Sequence, residues 1–409
     1  MRIVTYLSLF VASLLAGWLL LGGGAAAGAP GAPDHVVLTW TADPATTITI
    51  TWRAPAEAAA GVVCYQEGET LTATPQQALA TATDLATDAG VWRLYSATLT
   101  GLAPKTRYAY RVGDGRQWSP VRAFTTADPE AESLTFLVFG DSQSIAPYAQ
   151  WRKTVQRAFA AHPDARFMVN VGDLVDTGKS AGHWHAWFAA AEGVIDRIPV
   201  MPALGNHECY PLGTGWRAYW HAQFRLPQNG PDGQKNQVYS FDVGPAHFTV
   251  LDSQQSEQRQ RGDILTPQRQ WLDADLKNVN APWKFAFVHK GPYHLHGGGN
   301  PQIRDAFCPT LEAHNVNVVF SAHDHGVART HPLKHHARAA EGTIYMTTGR
   351  SGMKVYRDLR AHPLHAFFHN PLDQPNYLVV ELTAMTATIT TYAQDGTRID
   401  AFTLEQRKR

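Results

Sequence analysis

At 409 residues and 44% hydrophobic content, the chain has enough apolar material for one large domain or two ordinary ones, which excludes disorder as its resting state. Lysine plus arginine and aspartate plus glutamate both number 35, so no basic surplus points to nucleic acid or to an anionic membrane. An anionic substrate would have to be attracted locally.

Arg2, the apolar stretch Ile3 to Leu21, Gly22 to Gly24 and "AAAGAPGAP" read as a secretory signal over residues 1–27, with an A-x-A cleavage near Ala27. The mature chain is then expected to be secreted or periplasmic. The apolar stretch is also as long as a short membrane span, so an uncleaved anchor is the alternative. No cysteine lies there to carry a lipid. Cys64, Cys209 and Cys308 leave two readings open, one Cys209–Cys308 bridge or three buried thiols.

Residues 34–127 form a series of short strand patterns: "HVVLTWT", "TTITITWRA", "GVVCYQEG", "YSATLTGL", "TRYAYRVG" and "SPVRAFTT". β-Branched and aromatic residues alternate with polar ones, and Gly, Pro and Asp mark the turns, which predicts an all-β sandwich. The pattern resembles a fibronectin type III domain, with Tyr108 and Tyr110 in its core. "TADPEAES", residues 126–133, reads as a linker.

From residue 134 to 409 the pattern changes. "LTFLVFGD", "RFMVNVGD", "IPVMPALGNHE", "WKFAFVHKG" and "VNVVFSAHDHG" are five apolar runs that each end in Asp, Asn or His. Helical periodicity lies between several of them, over 148–161, 183–192, 267–278 and 303–314. Alternating strands and helices predict an α/β core with its polar residues at the carboxyl ends of the strands. "GTIYMTTG", "YLVVELTAMTATITTYAQDG" and "RIDAFTLE" return to strand patterns and are expected to complete a second sheet facing the first.

The strand-end residues are Asp141 in "GDSQ", Asp173 in "GDLVDTG", Asn206 and His207 in "GNHE", His289 in "FVHKGPY", and His323 and His325 in "SAHDHG". Carboxylate, imidazole and amide oxygen are donors suited to borderline or hard divalent cations, and there are enough for two ions sharing one carboxylate. Buried carboxylates also need such compensation.

These motifs resemble those of the calcineurin-like metallophosphoesterases: GD, GDxx, GNH[DE], a lone His after an apolar strand, and GHxH. With the β-sandwich in front, the chain resembles the purple acid phosphatase branch. The resemblance implies a four-layer α/β/β/α sandwich and two divalent metal ions (Mn, Zn, Fe or Mg). Asp173 would bridge them, Asp141 and His325 would hold the first, and Asn206, His289 and His323 the second. Such a pair can bind a phosphoryl oxygen, lower the pKa of a bridging water and stabilise in-line displacement. The expected substrate is a small-molecule phosphate ester, most simply a monoester. A phosphodiesterase or nucleotide pyrophosphatase is the alternative, and a non-catalytic adhesion protein is the rival from another class. A homodimer is compatible with the sequence.

Two departures from the family stand out. The purple enzymes carry tyrosine in GDxxY, whereas this chain carries Asp176, so no tyrosinate colour is expected. Asp176 could ligate the first metal, or accept a hydrogen bond from His207 as in the phosphoprotein phosphatases that GDxxD resembles. The second role would make His207 an oriented general acid. Gln143 stands where many relatives have a histidine ligand, which predicts a weakly held first metal. Ala322 replaces the usual Gly of GHxH, a tolerable change unless that backbone needs positive φ. On the substrate side, His294 and His296 lie on a Gly-rich loop and Arg350 in "TTGRSG" could reach a phosphate from the rim. His183 and His185 are expected on a helix whose Trp184 and Trp187 belong to the core.

Overall fold

The computed structural model describes residues 31–55, 57–58, 60–213, 215–295 and 300–406. The signal-like segment 1–27 and His296 lie outside them.

Seven antiparallel strands make the N-terminal β-sandwich. Their order is Asp34–Thr39, Ile48–Ala54, Gly90–Leu99, Gln76–Thr87, Gly61–Glu67, Arg107–Gly113 and Arg122–Thr125. Residues 76–80 of the fourth pair with Gly61–Tyr65, while its residues 81–87 pair with Gly90–Ser96, so one long strand joins the two halves. The sequence patterns gave no strand there. "QQALATATDLAT" is held by ladder hydrogen bonds with most side chains exposed, so it lacks the apolar alternation that marks a half-buried strand. Trp52, Tyr95, Val63, Leu99 and Phe124 fill the interior, each large side chain contributing about 1.5–3 kcal/mol through burial. Tyr108 and Tyr110 are buried among them.

Two further sheets face each other. One runs Arg398–Glu405, Thr386–Ala393, Asn376–Leu382, Leu134–Phe139, Met168–Asn170. The other runs Tyr239–Val243, Ala246–Leu251, Trp283–Lys290, Val318–Ala322, Ile344–Thr348, Val327–Thr330, His365–His369. Their inner faces meet through Phe136, whose ring lies 5.3 Å from Phe248 and 5.7 Å from Phe285, both near edge-on. Helices Ala149–Ala161 and Ala181–Ala191 cover the first sheet, with Phe139 edge-on to Trp151 and Trp151 stacked on Trp187. Helices Leu265–Lys277 and Pro301–Ala313 cover the second through Leu272, Leu276, Ile303, Phe307 and Leu311. The layering is α/β/β/α, with the β-sandwich in front, and Trp184 and Trp187 are fully buried as expected of core residues.

Three sequence expectations need correction. The C-terminal strands do not build one sheet: Ile344–Thr348 pairs parallel with Val318–Ala322, whereas Asn376–Leu382 pairs antiparallel with Leu134–Phe139. "IPVMPALGN" makes only an isolated bridge, Met168 to Val200, because Pro199 and Pro202 supply no ladder donors. The Cys209–Cys308 bridge does not form; both thiols, like Cys64, are free and buried, and they sit in separate apolar clusters.

The β-sandwich is bonded to the layered part by main chain and side chain alike. Leu38 N–H donates to Ile195 O and Val200 N–H to Leu38 O, at 2.9 and 2.8 Å. Tyr110 Oη donates to Asp196 O at 2.7 Å, and Arg122 Nε to Asp196 Oδ2 at 2.6 Å. This stiff backing fixes the start of the segment that leads into the GNHE loop.

Candidate metal centre

Four polar residues at or beyond strand ends have left-handed backbone: Asp141 (φ +49°), Asp173 (+53°), His323 (+71°) and His325 (+58°). Each such residue costs roughly 1–3 kcal/mol and persists only where surrounding bonds fix it. Asp141 N–H donates to Gly172 O and Gln143 N–H to Asp173 O, locking the first two motif loops together. Glu208 fixes the third: its buried carboxylate accepts from the N–H groups of Gly205, Asp173, Leu174 and Val175 at 2.8–3.1 Å. Burial, with Asp173 beside it, raises the Glu208 pKa to about 8. A side chain at Gly205 would run into Asp173 N at 2.1 Å, so this approach requires glycine. Ala322 ends its strand with ordinary backbone, and the positive φ falls on His323 instead.

The converging side chains are Asp141, Gln143, Asp173, Asn206, His207, His289, His323 and His325. Asp173 Oδ2 lies 3.2 Å from His289 Nε2 and 3.9 Å from His207 Nε2. Ligand atoms of Asp173, His289 and His323 all lie within 4.8 Å of one another. His289 Nε2 is 3.1 Å from Asn206 Oδ1, and its Nδ1 donates to Val171 O at 2.8 Å. His325 Nε2 is 3.5 Å from Asp141 Oδ1, while its Nδ1 donates to Lys354 O at 2.7 Å. Both histidines thus present Nε2 to the site, oriented by carbonyls behind them.

Asp141 is wholly buried, yet neither carboxylate oxygen has a hydrogen-bond partner, and Gln143 Oε1 is likewise unpartnered. Burial pushes the Asp141 carboxyl well above its usual range. Burial would also raise Asp173, but His289 beside it holds that carboxyl well below, and Asp173 in turn raises His289 against the effect of its burial. Burial, with His289 nearby, lowers His323 to about 3, and burial lowers His325 to about 4. Buried carboxylates, unpartnered oxygens and the neutral imidazoles of His323 and His325 are the donor chemistry that divalent cations take, and a cation can take the place of the proton shared between Asp173 and His289, so these residues fit such ions.

The remaining expected residues divide. His207 Nδ1 is 2.8 Å from Asp176 O, the main-chain oxygen; the expected bond to the Asp176 carboxylate is absent because Tyr148 lies against that group, its Oη 3.4 Å from Oδ2 and accepting from Asp176 N–H at 3.2 Å. Arg350 is not at the rim: it is buried, its guanidinium donating to Pro371 O and Gly352 O, which makes it a brace for the backbone. His294 stands beside the centre, with Nδ1 3.1 Å from both Asp324 oxygens and its ring 5.7 Å from His323. Two residues went unread in the sequence: Lys354, whose Nζ is 3.3 Å from His207 Nε2, and Tyr148. Glu208 lies inside GNHE, where no sequence signal marks it as an acceptor for four backbone N–H groups.

A second cluster, Asp34, His35 and His185, also brings three ligand atoms within 4.8 Å. Arg53 already bonds both Asp34 oxygens and sits 3.1 Å from His185 Nδ1. A guanidinium thus holds the place a cation would need, and the cluster ties the β-sandwich to helix Ala181–Ala191.

Comparison with known proteins gives a consistent picture. Residues 33–126 match the family described as purple acid phosphatase, N-terminal domain, and residues 134–327 match calcineurin-like phosphoesterase. The chain is 26% identical to purple acid phosphatase 23 of Arabidopsis thaliana over 69% of each chain. It is also 26% identical to purple acid phosphatase 22 of that plant, over 64% of this chain and 59% of the relative. Among solved structures, purple acid phosphatase PPD1 from yellow lupin seeds superposes with a TM-score of 0.78 at 18% identity, covering 92% of this chain and 75% of that one. PhoD superposes at 0.66 and 15% identity, covering 93% and 92%. These two likenesses show the fold.

Proposed function

The chain belongs to the calcineurin-like phosphoesterases, purple acid phosphatase-like, and is as such a metal-dependent phosphoric ester hydrolase; we propose that it cleaves phosphate monoesters at a dinuclear centre, outside the cytoplasm. The observation that carries this reading is the buried Asp141 carboxylate, unpartnered at both oxygens and set among six other donors. Asp141, His325 and the Gln143 amide oxygen would hold one ion, Asn206, His289 and His323 the other, with Asp173 shared. Bound there, two divalent cations would supply Lewis acidity toward the phosphoryl group and activate a water for attack on phosphorus.

The protein's own groups do the rest. His207 is aimed by the Asp176 carbonyl, which can only accept, so Nδ1 keeps its proton and Nε2 faces the reacting group. From there a protonated His207 donates its Nε2 proton to the leaving alkoxide. His294, steadied by Asp324, borders the second ion's ligands and is placed to contact substrate. The β-sandwich buttresses this arrangement, in the manner of a fibronectin type III-like module. Residues 1–27 would direct export and then be removed.

The test is metal analysis by mass spectrometry on the mature protein, with p-nitrophenyl phosphate turnover read before and after adding Mn²⁺, Zn²⁺ or Fe²⁺. Two ions per chain and metal-dependent turnover are expected. Fully metallated protein inert on both monoester and diester would refute the reading.

A further inference from the structure

The loop that follows strand Ile344–Thr348 is laid against the first motif loop by main-chain bonds. Ser351 N–H donates to Gly140 O at 2.8 Å, Gly352 N–H to Asp141 O at 2.9 Å and Met353 N–H to Gln143 O at 3.1 Å. A side chain at Gly352 would meet the Ser142 and Gln143 backbone at 2.2–2.6 Å, so only glycine permits this contact. The next residue, Lys354, is pinned from the other side by His325 Nδ1, which donates to its carbonyl. Its position is therefore as well fixed as that of the metal-site residues themselves.

Its side chain is half-buried, with Nζ 3.3 Å from His207 Nε2 and 5.4 Å from the centre of the Tyr356 ring. Among the described residues no carboxylate comes within ion-pair distance of it. An ammonium carries three donors and no acceptor. His207 Nδ1 is committed to the Asp176 carbonyl, so its Nε2 can accept one of them, and Tyr356 takes a second; the third is left for an anion beside the reacting group, with which it makes a charge-assisted hydrogen bond.

Resting on the phosphoesterase reading above, we propose that Lys354 is a substrate-binding residue that grips a phosphoryl oxygen beside His207 and biases the site toward dianionic monoesters over monoanionic diesters. A monoester offers a charged, unesterified oxygen to the ammonium. A diester places a second ester group there, which is neutral, bulkier and a weaker acceptor.

The experiment compares wild type with Lys354→Met and Lys354→Arg, each loaded with metal and checked for metal content. Inorganic phosphate affinity is measured by calorimetry, and kcat/KM on p-nitrophenyl phosphate and bis-p-nitrophenyl phosphate. Lys354→Met should keep its metals, bind phosphate about tenfold more weakly and lose at least tenfold on the monoester against less than threefold on the diester. Lys354→Arg should recover most of the phosphate affinity. Unchanged phosphate affinity, or equal losses on both esters, would overturn the inference while leaving an active wild type intact. Metallated wild type that neither bound phosphate nor hydrolysed either ester would instead overturn the phosphoesterase reading, and this inference with it.

Discussion

His207 Nδ1 lies 2.8 Å from the main-chain oxygen of Asp176, so the backbone of Asp176, and not its carboxylate, orients the imidazole proposed as the general acid. Replacing the Asp176 side chain leaves that oxygen in place. Asp176→Asn should therefore keep kcat/KM on p-nitrophenyl phosphate within about threefold, while His207→Gln should lose ~10²–10⁴, the usual worth of a placed general acid. A drop beyond tenfold in Asp176→Asn, with metal content falling too, would give its carboxylate the ligand role instead.

Asp141 allows a test in which the sign of the effect reverses with metal. In chelated protein its carboxylate is buried without hydrogen bonds, and Asp141→Asn relieves part of that desolvation. The variant should then be more stable than wild type by about 1–3 kcal/mol in urea unfolding with a chelator present. With added metal the order should invert, because wild type gains binding free energy that the variant cannot. Wild type more stable under both conditions would mean that the carboxylate is satisfied by something other than a cation.

The convergence of the candidate site's side chains was legible because each of them ends a strong apolar run or lies in the loop just beyond one, a pattern that survives in one dimension. Their own partners were not. Whether Asp176 meets His207 through its side chain or its carbonyl depends on Tyr148, which lies 28 residues away and belongs to no motif. Arg350 looked free in "TTGRSG" because the acceptors that bury it, Pro371 O and Gly352 O, are backbone atoms that any residue could supply. Lys354 follows Met353 in a segment with no periodicity, and only the main-chain pairing with residues 140–143 brings it to the site. In the β-sandwich, Gln76–Thr87 escaped notice for a related reason, since its ladder is made by groups every residue carries.

Tyr148 also bears on colour. Its hydroxyl is engaged with Asp176, and burial raises its pKa further above the phenol range, with Asp176 adding to the effect. A phenol held protonated in this way is a poor source of tyrosinate for iron. Protein loaded with ferric iron should show no tyrosinate charge-transfer band in the visible spectrum, and Tyr148→Phe should leave the spectrum unchanged. A purple band abolished by Tyr148→Phe would show that the phenolate reaches the metal after all.

A last prediction concerns stability away from the centre, at His247. It sits opposite Asp242 across the Tyr239–Val243 and Ala246–Leu251 pairing, with Nδ1 2.8 Å from Asp242 Oδ1 and Nε2 3.1 Å from Asp275 Oδ2 on helix Leu265–Lys277. Burial alone would lower its pKa, but the two aspartates raise it to about 9. Because the folded pKa lies above the unfolded value of about 6.5, the stabilisation is fully present below pH 6.5 and is lost as pH rises through 9. The ideal amplitude is about 3 kcal/mol, and the exposure of Asp242 reduces it to about 1–2 kcal/mol. The difference in unfolding free energy between wild type and His247→Asn, measured in urea with metal content held constant, should shrink by that amount between pH 6.5 and 9.5. A difference that stayed constant across the window would mean that His247 is held as a neutral hydrogen-bonding group, and that the link between helix and sheet does not depend on its charge.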